Sequence, residues 1–179
     1  FETVDSAGDV GQNSAIDVDP NGFVHIAYYY ADDKDPKYAT NKSGSWVTET
    51  IVSEGSWGCW IDMAVDADGY AHLAVGRHPD YGMGVIYVTN KSGAWDWEFV
   101  ESLGEYPAIA LDSDGRAHFI YLQVFIDWLH FTAYAYLYYA KNVNGSWQKT
   151  ILQEGYNGGE NDIAIDDQGF VHVIYNWGR

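Results

Sequence analysis

The sequence predicts an all-β chain, specifically a β-propeller of four-stranded antiparallel blades, and three observations predict it. One phrase occurs four times: Ile16-Asp17 to Gly22-Phe23-Val24-His25-Ile26, Val65-Asp66 to Gly69-Tyr70-Ala71-His72-Leu73, Leu111-Asp112 to Gly115-Arg116-Ala117-His118-Phe119, and Ile165-Asp166 to Gly169-Phe170-Val171-His172-Val173. Its histidines recur at spacings of 47, 46 and 54 residues, in the range of arrays whose units bury apolar faces by stacking on their neighbours. Alternating apolar and polar positions, β-branched and aromatic enrichment, and turns rich in Gly, Asn, Asp and Ser complete the pattern, with no sustained helical period.

Each copy of the phrase reads as strand, tight turn, strand. A third strand follows at Pro36-Lys37-Tyr38-Ala39-Thr40-Asn41, Val85-Ile86-Tyr87-Val88-Thr89-Asn90 and Leu137-Tyr138-Tyr139-Ala140-Lys141-Asn142. A glycine turn then reaches Trp46, Trp95 or Trp147 and leads into a fourth strand at Glu49-Thr50-Ile51-Val52, Glu98-Phe99-Val100 and Lys149-Thr150-Ile151-Leu152. Four antiparallel strands make a propeller blade. The expected organisation is one domain over 1–179, with blade repeats at about 13–53, 60–101, 107–153 and 161–179. Residues 1–5 match a fourth strand and are expected as a terminal outer strand.

The fourth copy has only its first two strands, giving three complete blades plus a partial fourth. Three closures are open: completion of the ring by oligomerisation, a four-bladed closure within one chain, or a fragment of a larger propeller. An open edge leaves backbone groups unpaired, and the expectation favours assembly, with a homo-oligomer (a dimer) completing the ring, or truncation. Phe1 stands where a methionine would, and no apolar signal segment is present, so a processed chain or an excised piece is expected.

Hydrophobic residues make up 47% and aromatics 17% of 179 residues, too rich for disorder and too interrupted by charge and glycine for a membrane span. The excess of 26 acidic over 9 basic residues gives a formal net charge of −17. That field repels nucleic acid and anionic membrane surfaces, leaving neutral ligands and cations as the easier partners. Cys59 is single, so an internal disulfide is excluded and compartment stays open. Fifteen tyrosines and eight tryptophans favour an extracellular binding surface.

The blade phrase, with Tyr38-Ala39-Thr40-Asn41 and Gly44-Ser45-Trp46 following the first His strand and close variants of them following the second and third, resembles secreted sialidase-like propellers of the BNR-repeat type over nearly all the chain. The resemblance implies the blade and a secreted setting, not an activity. The Ser-x-Asp-x-Gly-x-Thr-Trp order of the sialidase Asp-box is missing. Sialidases clamp a carboxylate with three arginines, whose planar forks match it bidentately. This chain has Arg77, Arg116 and Arg179 alone, with Arg116 in a repeated turn, so no such triad is evident and sialidase activity is not expected.

The aligned histidines invite a metal reading, but copies related by blade symmetry lie in separate blades. A hydrogen bond to the aspartate of the same hairpin is the expected role. Asp17, Asp19 and Asn21, in Asp17-Val18-Asp19-Pro20-Asn21-Gly22, match the start of a calcium loop. The glutamate such a loop needs at its twelfth position is Tyr28, and the other three turns read two residues shorter. A plain Asp/Asn-Gly turn is the competing account. Asn41, Asn90 and Asn144 open N-glycosylation sequons, all in one blade turn.

Turns joining strands one to two and three to four fall on one face and are monotonous. The two-to-three loops and blade connections share the other face and are varied, the usual place for binding residues. That face is expected to carry Trp57, Trp60, His78, Tyr81, Tyr106, Asp127, Trp128, His130, Tyr156, Asn157 and Glu160. Aromatic rings stack on sugar C–H faces while carboxylates and amides take oriented hydroxyl bonds. Inter-blade packing is the alternative role for half of the rings. The third repeat holds twenty residues between His118 and Tyr139 against twelve between His25 and Tyr38. The apolar excess, Val124 to Phe131, reads as a contact surface, a pocket wall or a pair of lengthened strands.

The leading expectation is therefore a secreted, lectin-like propeller module that binds a glycan or other neutral small ligand without catalysis. The enzyme alternative is a propeller-fold polysaccharide lyase, with His78, Tyr81 and Arg77 as base, acid and carboxylate neutraliser, or a glycoside hydrolase using Asp80, Asp127 or Glu160. A structural assembly subunit is the third reading.

Overall fold

The computed structural model describes residues 1–77, 79–127, 129–130, 132–155 and 159–176. The protein is all-β, with three four-stranded antiparallel sheets followed by a two-stranded one. The first sheet is β1 (Val10–Val18), β2 (Val24–Tyr30), β3 (Asp35–Thr40) and β4 (Val47–Thr50). The second is β5 (Trp57–Val65), β6 (Ala71–Arg77), β7 (Val85–Thr89) and β8 (Asp96–Glu101), with a 3-10 turn at Pro79–Tyr81. The third is β9 (Gly104–Leu111), β10 (Ala117–Asp127), β11 (Thr132–Val143) and β12 (Ser146–Glu154), and the last hairpin is β13 (Asn161–Ile165) and β14 (Val171–Tyr175). Strands follow chain order in every sheet, so each sheet is a meander of the blade-like kind the repeat predicts. The first strand of each sheet packs beside the first strand of the next.

The repeated turn explains why the phrase recurs. Asp19, Asp66, Asp112 and Asp166 each accept the N–H of the glycine three residues on and donate their own N–H to the carbonyl four residues on. Their carboxylates also accept the N–H groups two and four residues on, at 2.8–3.0 Å. The glycine takes a positive φ, +84° at Gly22 and +79° at Gly69, which a Cβ disfavours. This geometry corrects the repeat alignment. The counterpart of Asp66 is Asp19 and not Asp17, and all four turns have one length.

The core lies between the sheets. Ala27 and Tyr38 of the first sheet meet Met63 and Leu73 of the second, Ala74 and Val85 meet Ile109 and Phe119 of the third, and Ile120 meets Ile163 of the last hairpin. Trp95 packs edge-on against Tyr38 of the preceding sheet, and Trp147 against Tyr87. The recurrent Gly-x-Trp is thus the bolt between neighbouring sheets.

Several expectations are revised. Strands begin earlier than the repeat boundaries, at Val10, Trp57 and Gly104, because each first strand continues past a bulge. Residues 1–9 form no strand. The Asp5 carboxylate instead accepts the Tyr28 hydroxyl at 2.7 Å and pairs with Lys37 at 2.5 Å, tying the segment to its own first sheet. The apolar excess of the third repeat lengthens β10 and β11, which pair without a break from His118 opposite Lys141 to Asp127 opposite Thr132. A four-bladed closure within one chain is not what is seen, since Ile16 of β1 and Ile174 of β14 both face solvent.

Candidate functional site

The first strands converge at their N-terminal ends on a cleft of about 450 Å³. Counting back six residues from each turn aspartate gives Asn13, Trp60, Tyr106 and Glu160, and all four line this cleft. Four sheets therefore present one equivalent position, filled by an amide, two aromatic rings and a carboxylate. Bulges aim these residues. Pairing shifts between Gln12 and Ala15 in β1, between Trp57 and Trp60 in β5, and opposite Ile120 and Leu122 in β9, and an extra residue in one strand re-aims the side chain beside it. Asn13 and Tyr106 hold positive φ values of +47° and +50°, a conformation non-glycine residues keep only where their surroundings enforce it.

The aromatic pair is built on glycine. Trp60 and Tyr106 lie with ring centroids 4.5 Å apart. Trp60 sits opposite Gly76 in the β5–β6 pairing, where a Cβ would fall 2.7 Å from its ring, and a Cβ on Gly159 would fall 3.1 Å from the Tyr106 ring. Asn161 donates to the Tyr106 carbonyl at 3.0 Å and steadies that backbone.

Asp62 and Asp162 lie one turn of the pleat deeper and also line the cleft. Asp62 accepts the Met63 N–H at 2.9 Å and, across the sheet junction, the Ile109 N–H at 2.8 Å. Its carboxyl is pushed up to about 6, because burial, helped by the charges of Asp162 and Asp17, outweighs the downward pull of those two N–H groups. With both oxygens committed to backbone donors, Asp62 works as a strut between sheets, despite a pKa suited to a general acid.

The sequence candidates divide. Trp60, Tyr106 and Glu160 come together in the cleft. Trp57 does not; only 3% exposed, it packs against Trp97 and Phe99 with Arg77 over its ring. Arg77 also donates to the Gly55 carbonyl at 2.8 Å. Tyr81 accepts a hydrogen bond from the Lys34 ammonium, which also lies over its ring, and this pair bridges the outer loops of the first two sheets. His130 is exposed in the loop after β10, whose last residue is Asp127. His78, Trp128, Tyr156 and Asn157 lie outside the described residues, as does the Asp127 side chain. Asn13, Asp62 and Asp162 were not singled out in the sequence; their fixed distance from the turn aspartate is the signal that finds them.

Asp17 and one oxygen of Asp19 are occupied with backbone. Asp17 accepts the Val18 and Val65 N–H groups at 2.8 and 2.7 Å, and Asp19 caps its turn through Asn21 and Phe23. Among the described residues no group of three or more His, Cys, Asp or Glu side chains is placed to hold a metal ion. The repeated histidines pair with the aspartates of their own hairpins, His72 with Asp66, His118 with Asp112 and His172 with Asp166. Among the described residues no helix is long and apolar enough to cross a membrane.

No family model and no curated protein sequence matches the chain. Solved structures do. A protein of unknown function from Dyadobacter fermentans is similar at a TM-score of 0.65 and 13% identity, over 92% of this chain and 61% of that one. A polysaccharide lyase, Uly1, is similar at a TM-score of 0.51 and 10% identity, over 92% of this chain and 47% of that one. The chain spans less than two thirds of either protein, and at these identities the likeness is one of fold: all-β, built from four-stranded antiparallel sheets.

Proposed function

We propose that the sheets are blades of a β-propeller and that the protein is an extracellular carbohydrate-binding module without catalysis of its own. The observation that carries this reading is the cleft's one repeated position, filled by Asn13, Trp60, Tyr106 and Glu160. The adjoining rings offer a platform for sugar C–H faces, and the amide and carboxylate offer acceptors and a donor for hydroxyls. Asp62, Glu160 and Asp162, with no Lys, Arg or His among the described lining residues, favour a neutral glycan over an acidic one. A glycan array followed by titration of tryptophan fluorescence tests it. Saturable binding without turnover that is lost in Trp60→Ala supports the reading, and a silent array overturns it.

A lyase is the second reading, favoured by the Lys34–Tyr81 contact, in which a cation beside a phenol makes an acid–base candidate. Its support from likeness is the fold of Uly1 alone. Release of unsaturated oligosaccharide from a uronate polymer, abolished by Tyr81→Phe, would replace the binding reading with this one.

A further inference from the structure

Resting on the carbohydrate-binding reading and narrowing it, we propose that the sugar taken by the cleft is an amino sugar, its ammonium held by carboxylate and amide oxygens while its ring lies on the aromatic pair. The carboxylates that turn away an acidic glycan also distinguish a cationic one from a neutral one. Asp62 and Asp162 line the cleft, and no Lys, Arg or His stands among its described lining residues. Elsewhere the chain answers its partly enclosed carboxylates with lysine: Lys37 at Asp5, Lys91 at Asp66, Lys141 at Asp112 and Lys149 at Glu101, all at 2.5–3.1 Å. Asp62 is treated differently. It meets backbone N–H groups and further negative charge, and burial with the charges of Asp162 and Asp17 raises its carboxyl. A carboxylate held among like charges is stabilised by any cation that enters beside it.

A second feature, independent of charge, asks for a donor. Asn161 gives its Nδ2 to the Tyr106 carbonyl at 3.0 Å, which fixes the orientation of the amide, and its Oδ1 is left buried without a hydrogen bond. Buried acceptors are normally paired, and one left alone is costly. Asn161 lines the cleft, so a ligand there supplies the missing hydrogen. A hydroxyl would satisfy this oxygen and no more. An ammonium serves it with one of three N–H groups, adds no acceptor that must itself be paired, and carries the charge that Asp62 and Asp162 face without a lysine. The rings agree with both halves of such a ligand. Trp60 and Tyr106, with centroids 4.5 Å apart, offer a face for sugar C–H groups and a negative quadrupole for a cation above it. A bare metal ion fits the lining less well, since among the described residues no three His, Cys, Asp or Glu side chains converge to hold one.

Oligomers of glucosamine and of galactosamine, their N-acetylated forms and the matching glucose and galactose oligomers differ only in the group on the second carbon, and titration of tryptophan fluorescence compares them. At low salt the amine form should bind at least about fivefold more tightly than either neutral form, and raised ionic strength should erase most of that margin. Asp162 is exposed, so Asp162→Asn keeps the wild-type circular dichroism; it should narrow the margin by about threefold. A neutral form that binds as tightly as the amine, a margin that survives salt, or one untouched by Asp162→Asn overturns the proposal and spares the binding reading. So does a different array sugar bound while all these oligomers stay silent. A wholly silent array overturns both. Free spermidine, bound as tightly as the amine oligomers, would mean that charge alone is read and would overturn the assignment to a sugar.

Discussion

His72, itself buried, bridges a half-buried tyrosine and a buried aspartate, its Nδ1 lying 2.5 Å from the Tyr87 hydroxyl and its Nε2 3.2 Å from Asp66 Oδ2. Lys91 reaches the same carboxylate oxygen at 2.9 Å. The arrangement recurs as Tyr139–His118–Asp112–Lys141, and in the first sheet as Tyr38 and His25 with Asp19 at 3.6 Å. The histidine fastens the third strand to the first turn across the second. Replacing it strands a hydroxyl and weakens the hold on a carboxylate in a dry site. His72→Leu should therefore cost about 2–4 kcal/mol in urea unfolding. His172→Leu, whose ring is 63% exposed, should cost less than about 0.5 kcal/mol, and equal losses would refute a role set by burial.

Acid should unfold the protein in two stages. Burial holds His25, His72 and His118 below the ordinary 6.5, against the pull of their aspartates. Below pH 6.5 the unfolded chain therefore binds protons that the folded chain refuses, and stability falls as pH drops. Burial raises Asp66, but Lys91, the Tyr70 N–H and His72 outweigh it and hold the group at about 2. Its contribution is present above 3.8 and is lost as pH falls toward 2. Asp62, raised to about 6, has the opposite sign and adds stability on acidification from 6 toward 3.8. Melting temperature should be level above pH 7, decline below 6.5, and decline again below 4. His72→Leu should flatten part of the first step and shrink, without abolishing, the second, which Lys91 and the Tyr70 N–H also support.

Turn glycines of equal conformation should differ in tolerance. Gly69 and Gly115 have φ values of +79° and +71°, so alanine strains both by about 1 kcal/mol. At Gly69 a Cβ would also stand 3.0 Å from Asp19 Oδ2 and 3.1 Å from Lys42 Nζ, whereas at Gly115 the nearest atom is Lys91 Nζ at 3.6 Å. Gly69→Ala should unfold at lower urea than Gly115→Ala, by about 1–2 kcal/mol, since it disturbs a buried aspartate in the neighbouring sheet.

The strands, their order and the scaffold role of the histidines were legible because a repeat states the same local chemistry several times. The alignment slipped at Asp17 because Ile16-Asp17 and Val18-Asp19 read alike in a string; only the turn hydrogen bonds tell a capping aspartate from one that reaches Val65 in the next sheet. The sequence also grouped Trp57 with Trp60. A bulge between them, with Gly58 at φ +104°, turns one ring into the core and the other to the cleft. Residues 1–5 resemble a fourth strand in composition, but the tie of Asp5 to Tyr28 and Lys37 is a tertiary contact that no local pattern carries.

That division makes the two tryptophans separable by experiment. Trp57→Ala should remove about 3–5 kcal/mol of stability, the cost of emptying a buried indole site, while glycan affinity of the folded fraction changes less than about twofold. Trp60→Ala should leave the unfolding free energy from urea within about 1 kcal/mol and weaken binding at least about tenfold, by loss of a stacking face. Matching effects in both assays would mean that the cleft is packing and not a site.

Gly76→Ala probes the cleft without deleting any group that touches a ligand. Gly76 lies opposite Trp60 in the pairing of β5 with β6, and its missing side chain is where the indole rests; a Cβ would stand 2.7 Å from Trp60 Cε3 and 3.2 Å from Trp60 Cβ. The indole is the more movable partner, because it borders the open cleft on its other side. Alanine there should swing the ring away from Tyr106, at the cost of their 4.5 Å contact. Sugar affinity should fall by about five- to tenfold, with a change in tryptophan emission and a stability loss of about 1–2 kcal/mol from the added crowding. Gly159→Ala, pressing on Tyr106 from the other side at 3.1 Å, should act in the same direction and less strongly. If Gly76→Ala shifts emission and leaves affinity intact, the ring pair is not the platform on which the ligand sits.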